Sequence, residues 1–298
     1  MQQAFRQGFE KVPAVDSRGL DRVLRTDPAR DQIEVQAQTP WRSVAQALHR
    51  QVPALANVVA RGVQPDTVGH DVARNAPGPD GRPVVALVES LTLVTPEGDL
   101  RRTSRTLNAE LFALAVGGMG SFGALYSATL SLSALARAAA AALEPARLEL
   151  AAPSRGVGHR LSLYLPPDTV EAFLTDARAQ ALAWHIPITG AEVRRTLAER
   201  ETVLCWARRE YAEITLALGF PVRMGGEVLR TQFFRLLVDS AIGHGGIYAI
   251  ASTPEASRKQ ADACYPSLRR VLAEKLRHDP RDRLQAPWYR HHRQLLGL

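Results

Sequence analysis

Residues 84–132 constrain the fold more than any other stretch. VVALVESLTLVT reads as a strand, Pro96-Glu97-Gly98-Asp99 supplies a turn, and LRRTSR returns. A strand, a tight turn and a return predict an antiparallel hairpin. The segment from Asn108 to Val116 predicts a short helix that stops at Gly117-Gly118. ALYSATLSLS then alternates as a further strand.

The rest of the chain reads as more elements of both kinds. AVDSRGLDRVLRTD and QIEVQAQ predict two short strands around the Asp27-Pro28 turn. Pro40 opens a helix with Trp41, Val44, Ala45, Leu48 and Val52 on one face. Residues 63–78 read as a loop, because ARNAPGPDGRP is a cluster of breakers. The Ala-rich run 134–149 reads as a connection or a degraded strand, and the domain boundary is placed near 150. Beyond it come a strand (HRLSLYLP), a helix opened by Pro167-Asp168, and two strands (TGAEVRRTL and YAEITLALGFP). A long helix ending at Gly245-Gly246 and the strand IYAIAS follow, then a helical stretch over 255–276 and a tail with Pro stops. The order β-α-β-β-α-β predicts a ferredoxin-like α+β sheet with helices on one face.

Composition narrows the classes. The chain has 298 residues, 46% hydrophobic and 22% charged, which suits one large or two moderate globular domains. No apolar run reaches the roughly 18 residues of a spanning helix, and MQQAFRQGFEKV lacks the apolar core of a secretory signal. The cytoplasm is therefore the expected compartment. The net charge of +7 is carried by Arg, with Lys only at Lys11, Lys259 and Lys275. The Arg residues interleave with Asp and Glu, as in RTDPARD, so they read as a solvated surface and not as a nucleic-acid face. WYRHHR is the densest basic cluster. Cys205 and Cys264 have helix-like flanks, which argues against a disulfide framework or a Cys zinc site.

The run from Thr67 to Leu132 combines TVGHDVARNAPG, the hairpin and the glycines 117, 118, 120 and 123. Together they resemble the second half of the FAD-binding domain of vanillyl-alcohol-oxidase-type flavoproteins, the PCMH type. Three further stretches, DSRGLDRVLRTDPARDQIEVQAQTPWRSVAQAL, ETVLCWARREYAEITLALGFP and CYPSLRRVLAEKLRHDPRDRLQAPWYRHHRQLL, extend the likeness from Asp16 to Gln294. Each motif is weak alone; their colinear order gives the match its specificity. The resemblance implies a partial FAD-binding domain over 1–149. It also implies a substrate or cap domain over 150–298, whose C-terminal segment returns to the FAD domain.

The resemblance also has gaps. In that family a first subdomain supplies a Gly-rich pyrophosphate loop, and here MQQAFRQGF reads as no more than its tail. The family's paired glycines are Gly69-His70, and its loop histidine is Pro77. A Cβ at His70 is costly where a flat flavin needs close backbone approach. Ala249, Ile250, Ala251 and Ser252 stand where polar residues facing the ring are expected.

Candidate residues follow. The resemblance assigns Thr67, Val68, Gly69, Asn75, Gly78, Gly117, Gly118, Gly120 and Gly123 to the cofactor. The plainer alternative for the glycines is a helix stop with close helix–strand packing, and for Thr67–Asn75 an ordinary loop. The G-G-x-G-x-x-G spacing precedes a strand, so it is not the Rossmann fingerprint. Trp206, Arg208, Tyr211, Tyr248, Trp288 and Tyr289 are either a pocket lining above the flavin or core packing, and the resemblance puts Arg208 and Tyr248 foremost as catalytic residues. His70 beside Asp71 is either a proton-transfer group or a solvated loop histidine. Adjacent His291 and His292 point in different directions, and no metal site is expected.

Two functions are expected. One is an FAD-dependent oxidoreductase that takes hydride from a small organic substrate onto the flavin, the redox chemistry being the cofactor's. The other is a non-catalytic paralogue that has lost FAD and acts as a structural or regulatory partner of a full-length flavoenzyme. The second implies an apolar face covered by another protein or a second copy.

Overall fold

A computed structural model describes residues 19–60, 66–149, 157–221 and 225–298. The chain divides into two compact units, the first built from residues up to Asn75, Leu87–Ala136 and Arg270–Arg293, the second from Ala76–Ala86, Arg137–Arg269 and Gln294–Leu298. The class is mixed α+β, with two antiparallel sheets. The N-terminal stub MQQAFRQGF lies outside the described residues.

The first unit holds β1 (Val23–Asp27), β2 (Gln32–Gln36), β3 (Val88–Val94), β4 (Leu100–Ser104) and β5 (Ala124–Ser131) in the order β1-β2-β5-β3-β4. The expected hairpin is β3–β4, with Val94 opposite Leu100, but its first strand starts later than expected, because Val84–Leu87 is a 3-10 helix. Register sets the two faces. Ile33 lies opposite Leu130 and Leu130 opposite Val88. These three side chains are buried, together with Val35, Leu91 and Leu93. Each large aliphatic side chain removed from water contributes about 1.5–3 kcal/mol. The alternate positions Glu34, Ser90, Thr92, Ser127 and Thr129 form the opposite, polar face.

Helices α1 (Trp41–Ala47) and α2 (Pro53–Ala60) follow β2, and Val44, Ala45 and Leu48 carry the buried stripe. Residues 63–78, expected as a loop, contain α3 (Val68–Arg74). Thr67 caps it by accepting the His70 amide at 3.2 Å, Asp71 pairs with Arg74 at 2.8 Å, and Asn75 ends it in the left-handed region. Capping and an i,i+3 ion pair thus outweigh the glycine at 69. Helix α4 (Ala109–Ala115) precedes the Gly loop as expected.

The Ala-rich run is also a correction. Leu132–Ala140 is helix α5 and Ala146–Glu149 is strand β6. Alanine has the highest helix propensity, and Leu135, Ala138 and Ala139 are buried.

The second unit is built on β6, β7 (Val157–Leu165), α6 (Val170–Ala183), β8 (Ile188–Thr196), β9 (Tyr211–Phe220), α7 (Gly226–Gly243) and β10 (Ile247–Tyr248). From β7 to β10 the chain runs β-α-β-β-α-β, and the sheet order is β10-β7-β9-β8-β6. Leu163 opposes Ile214 and Ile214 opposes Val193, so an apolar row crosses the sheet. Phe173 and Ala177 of α6 and Phe233, Leu237 and Val238 of α7 are buried. Within IYAIAS the strand covers only Ile247 and Tyr248, shorter than expected, with the Ala249 amide adding a bond to Ser162 O of β7 at 3.0 Å.

The stretch 255–276 is two helices, α8 (Arg258–Cys264) and α9 (Leu268–His278), separated at Pro266. The expected tail is instead helix α10 (Pro287–Leu296). Pro287 opens it, at a first position that has no intrahelical N–H bond to lose. Cys205 lies in the irregular segment before β9, not on a helix. Among the described residues no helix is long and apolar enough to cross a membrane.

Candidate functional site

Within the first unit, α3 and the Gly117–Gly123 loop meet. The start of α3 hangs on the segment after β2: the Val68 amide donates to Thr39 O at 2.9 Å and the Gly69 amide to Ala37 O at 2.8 Å. A Cβ on Gly69 would stand 2.5 Å from Ala37 O, so this approach admits glycine alone. The end of α3 is tied to the loop: the Gly117 amide donates to Val72 O and the Met119 amide to Ala73 O, each at 3.0 Å. Asn75, wholly buried, packs under Gly117, where a Cβ would lie 3.3 Å from the Asn75 Cβ.

Thr67, Val68, Gly69, Asn75, Gly117, Gly118, Gly120 and Gly123 therefore lie on two joined segments of one unit. Gly78 does not join them. It sits in a turn of the second unit, its amide donating to Arg82 O at 2.6 Å.

The glycines are largely explained by the fold itself. A Cβ on Gly118 would meet Leu114 O at 2.1 Å, and one on Gly123 would meet the Leu93 Cβ at 3.0 Å. Gly117 and Gly120 adopt φ of +77° and +74°, a region L-residues enter at a cost. Among these four glycines, Gly120 alone faces open space, with no described atom within 4 Å of an added Cβ. The Thr67 hydroxyl and the Gly117, Gly118 and Met119 amides already serve internal bonds. Arg74, the cation of α3, is held by Asp66 at 2.9 Å and Asp71 at 2.8 Å. The segments thus fit a ligand that approaches backbone at Gly120, and they direct no unneutralised charge of α3 at a pyrophosphate.

Asp71 also accepts the Trp41 indole N–H at 2.7 Å. His70 lies 3.9 Å from Asp66. Burial, aided by the Arg74 guanidinium, lowers the His70 pKa against the pull of Asp66 and Asp71. The ring is therefore biased toward its neutral form, which can accept a proton.

In the second unit Arg208 and Tyr248 converge on one short segment, Cys264-Tyr265. Arg208 Nη2 donates to Cys264 O at 2.7 Å. The Tyr265 hydroxyl donates to Tyr248 O, and the two rings stand edge to face with centroids 5.3 Å apart. Tyr248 is fully enclosed and its buried hydroxyl has no hydrogen-bond partner among the described residues; burial drives its pKa up. Burial also raises the Cys264 thiol to about 11. Trp206 stacks on Tyr164 at 4.3 Å and Arg209 lies over the Tyr211 ring at 5.2 Å. Trp288 and Tyr289 belong to the first unit, so the six expected lining residues do not form one cluster within a unit.

Two groups escape the sequence reading. Arg194 Nη2 lies 3.1 Å from the nearly buried Glu213 Oε2, a cross-strand pair between β8 and β9. Alternation in YAEITLALGF could have flagged Glu213, since it shares a face with Tyr211 and Thr215. Lys275 is wholly buried beside Asp279 and Asp282, and its i,i+4 spacing to Asp279 was a visible signal. Among the described residues no group of three or more His, Cys, Asp or Glu is placed to hold a metal ion. Comparison with known proteins finds no family model and no curated protein that matches this chain.

Proposed function

We propose that the chain is an FAD-binding protein of the vanillyl-alcohol-oxidase type and acts as an oxidoreductase on a small organic substrate. One observation carries the reading. The two segments that the resemblance assigns to a single cofactor, Thr67–Asn75 and Gly117–Gly123, are far apart in sequence yet joined by the Gly117–Val72 and Met119–Ala73 hydrogen bonds. On this reading the first unit is the second half of a PCMH-type domain and the second unit a ferredoxin-like cap. Backbone around Gly120 would hold the cofactor. The bound flavin would supply the hydride acceptor. The pyrophosphate would be met by groups outside these segments, a partner chain being one source.

A second reading is favoured by a different observation. Arg208 is engaged by Cys264 O, and Tyr248 is sealed inside the second unit. A scaffold that has lost FAD and partners a full-length flavoenzyme needs neither residue free. The visible absorption spectrum of the purified protein, before and after adding FAD, separates the two. Flavin bands that co-purify, or that shift on addition, support the cofactor reading. A colourless protein that leaves the spectrum and fluorescence of added FAD unchanged sinks it and leaves the scaffold.

A further inference from the structure

The polar face of the first sheet carries a pocket that the cofactor reading does not use. Register fixes its walls. Arg25 lies opposite Glu34, Glu34 opposite Thr129, and Thr129 opposite Ser90. Arg102 sits opposite Thr92 on β4. The period of two turns these side chains away from Ile33, Val35, Leu91 and Leu93. The resulting pocket, about 90 Å³, is walled by Arg25, Asp27, Arg30, Glu34, Arg102 and Thr129, with Gln32 beside them.

Its charges do not cancel. Three guanidinium groups face two carboxylates. Asp27 is shared, pairing with Arg25 and lying 3.8 Å from Arg30 Nε. It also accepts the Arg30 amide at 3.2 Å, which fixes the turn after β1. Glu34 accepts the Ser127 hydroxyl at 2.8 Å. Arg102 donates only to the neutral Ser90 Oγ, at 3.2 Å, and has no carboxylate partner among the described residues. A guanidinium fork with donors to spare beside a second and a third fork is an oxyanion-binding arrangement. A planar carboxylate is satisfied by one fork. A tetrahedral dianion presents oxygens in several directions and can take donors from three.

We propose that this pocket binds a phosphate group, through Arg102 together with Arg25 and Arg30, with the Thr129 hydroxyl as a neutral donor. Asp27 then orders two of the forks, and Glu34 sets the side of the pocket that the anion avoids. The proposal uses none of the residues assigned to FAD, so it stands or falls separately from the cofactor reading.

The test is calorimetric titration of the whole chain with inorganic phosphate, and separately with phenyl phosphate, against sodium chloride at matched ionic strength. Saturable heat from phosphate that sulfate displaces and chloride does not is the expected result. Tighter binding of phenyl phosphate assigns a phosphomonoester, and equal binding assigns the free anion. Arg102→Gln is expected to weaken binding roughly tenfold, the worth of one charge-assisted bond. Arg102→Lys keeps the charge without the fork and is expected to fall between. Circular dichroism and melting confirm that each variant folds. If Arg102→Gln does not fold, Arg30→Gln, whose side chain is 71% exposed, provides the same reading. Heat no larger than with chloride, or binding unchanged in the folded variants, overturns the proposal.

Discussion

Lys275 Nζ lies 3.0 Å from Asp279 Oδ2, with both side chains removed from solvent. The pair anchors the C-terminal segment of the first unit. Lys275 also pairs with Asp282, and its ammonium stands 4.2 Å from the Tyr289 ring centroid. Asp279 accepts the Arg283 amide at 3.0 Å and the Leu284 amide at 2.7 Å, which folds the chain back after α9. Arg293 of α10 reaches Asp282 at 2.5 Å. One buried cation thus joins α9, the Asp-Pro turn and α10.

Removing that cation leaves the buried Asp279 carboxylate with only the Arg283 and Leu284 amides and leaves Asp282 with Arg293 alone among its charged partners. Lys275→Ala is expected to lower unfolding free energy by about 3–5 kcal/mol, the usual cost of breaking a buried pair from one side. Lys275→Met keeps most of the stem and removes only the charge. Urea unfolding of both variants separates charge from packing. A Lys275→Met protein as stable as the parent would show that the network contributes nothing.

The carboxylates of this network also predict acid behaviour. Burial pushes the Asp279 pKa up, but the Leu284 and Arg283 amides and Lys275 outweigh it and hold the group below its ordinary value. Burial acts the same way on Asp282, and there Lys275 and Gln285 outweigh it, so this carboxyl is lowered too. A carboxylate depressed in the folded state stabilises above its unfolded pKa of about 4 and loses that contribution as pH falls through the folded value. Stability of the parent should therefore drop steeply below about pH 4. Asp279→Asn should be less stable at neutral pH and show a flatter acid limb. Equal limbs in parent and variant would remove Asp279 from the account.

Much of the architecture is visible in the residues themselves. Alternation in VESLTLVT and in YAEITLALGF marks one strand in each unit, each packed into its own unit's core, and the Pro96–Asp99 turn fixes the hairpin register. What sequence reasoning loses is capped or small-residue helix. Thr67 and Asn75 define a helix from its ends, not its periodicity. In the alanine-rich run of α5 only Ser133 and Arg137 mark the exposed side, and the small alanines on the buried side read as a connection. The candidate site shows the same limit. Glycine spacing marked Gly69, Gly118 and Gly123, but it could not tell a ligand approach from contact with Ala37, Leu114 and Leu93.

Those glycines can be ranked by experiment. Gly69→Ala brings a Cβ to 2.5 Å from Ala37 O, a backbone atom that cannot rotate away. Its expected cost is about 2 kcal/mol or more, in the range of overpacked sites. Gly120→Ala meets open space and has only its positive φ against it, so about 1 kcal/mol is expected. Thermal melts give the ranking. If the two substitutions cost the same, close packing is not what holds Gly69 in place.

The two cysteines are predicted to be poor nucleophiles. Burial raises Cys264 to about 11, and burial with the neighbouring Glu199 raises Cys205 to about 12. The thiolate is the reactive form, and its fraction at pH 8 is then small. A disulfide reagent at that pH should label the native protein far more slowly than the urea-unfolded chain. Labelling at equal rates would mean that neither thiol is sheltered.

His292 predicts a second, milder acid transition. It is nearly fully buried on α10, where its Nδ1 lies 2.9 Å from Trp288 O. Burial lowers its pKa to about 4, with His291 adding to the effect and the Trp288 carbonyl opposing it. The unfolded chain, with an ordinary value of about 6.5, binds the proton first. The folded state is then fully favoured above about pH 6.5 and loses stability as pH falls toward 4, by up to about 3 kcal/mol. This window lies above that of Asp279 and Asp282, so the two contributions separate on one stability profile. His292→Gln removes the titrating group and should flatten the profile between pH 6.5 and 4 while leaving the steeper loss below it. A profile unchanged in that upper window would show that His292 titrates alike in the folded and unfolded chain.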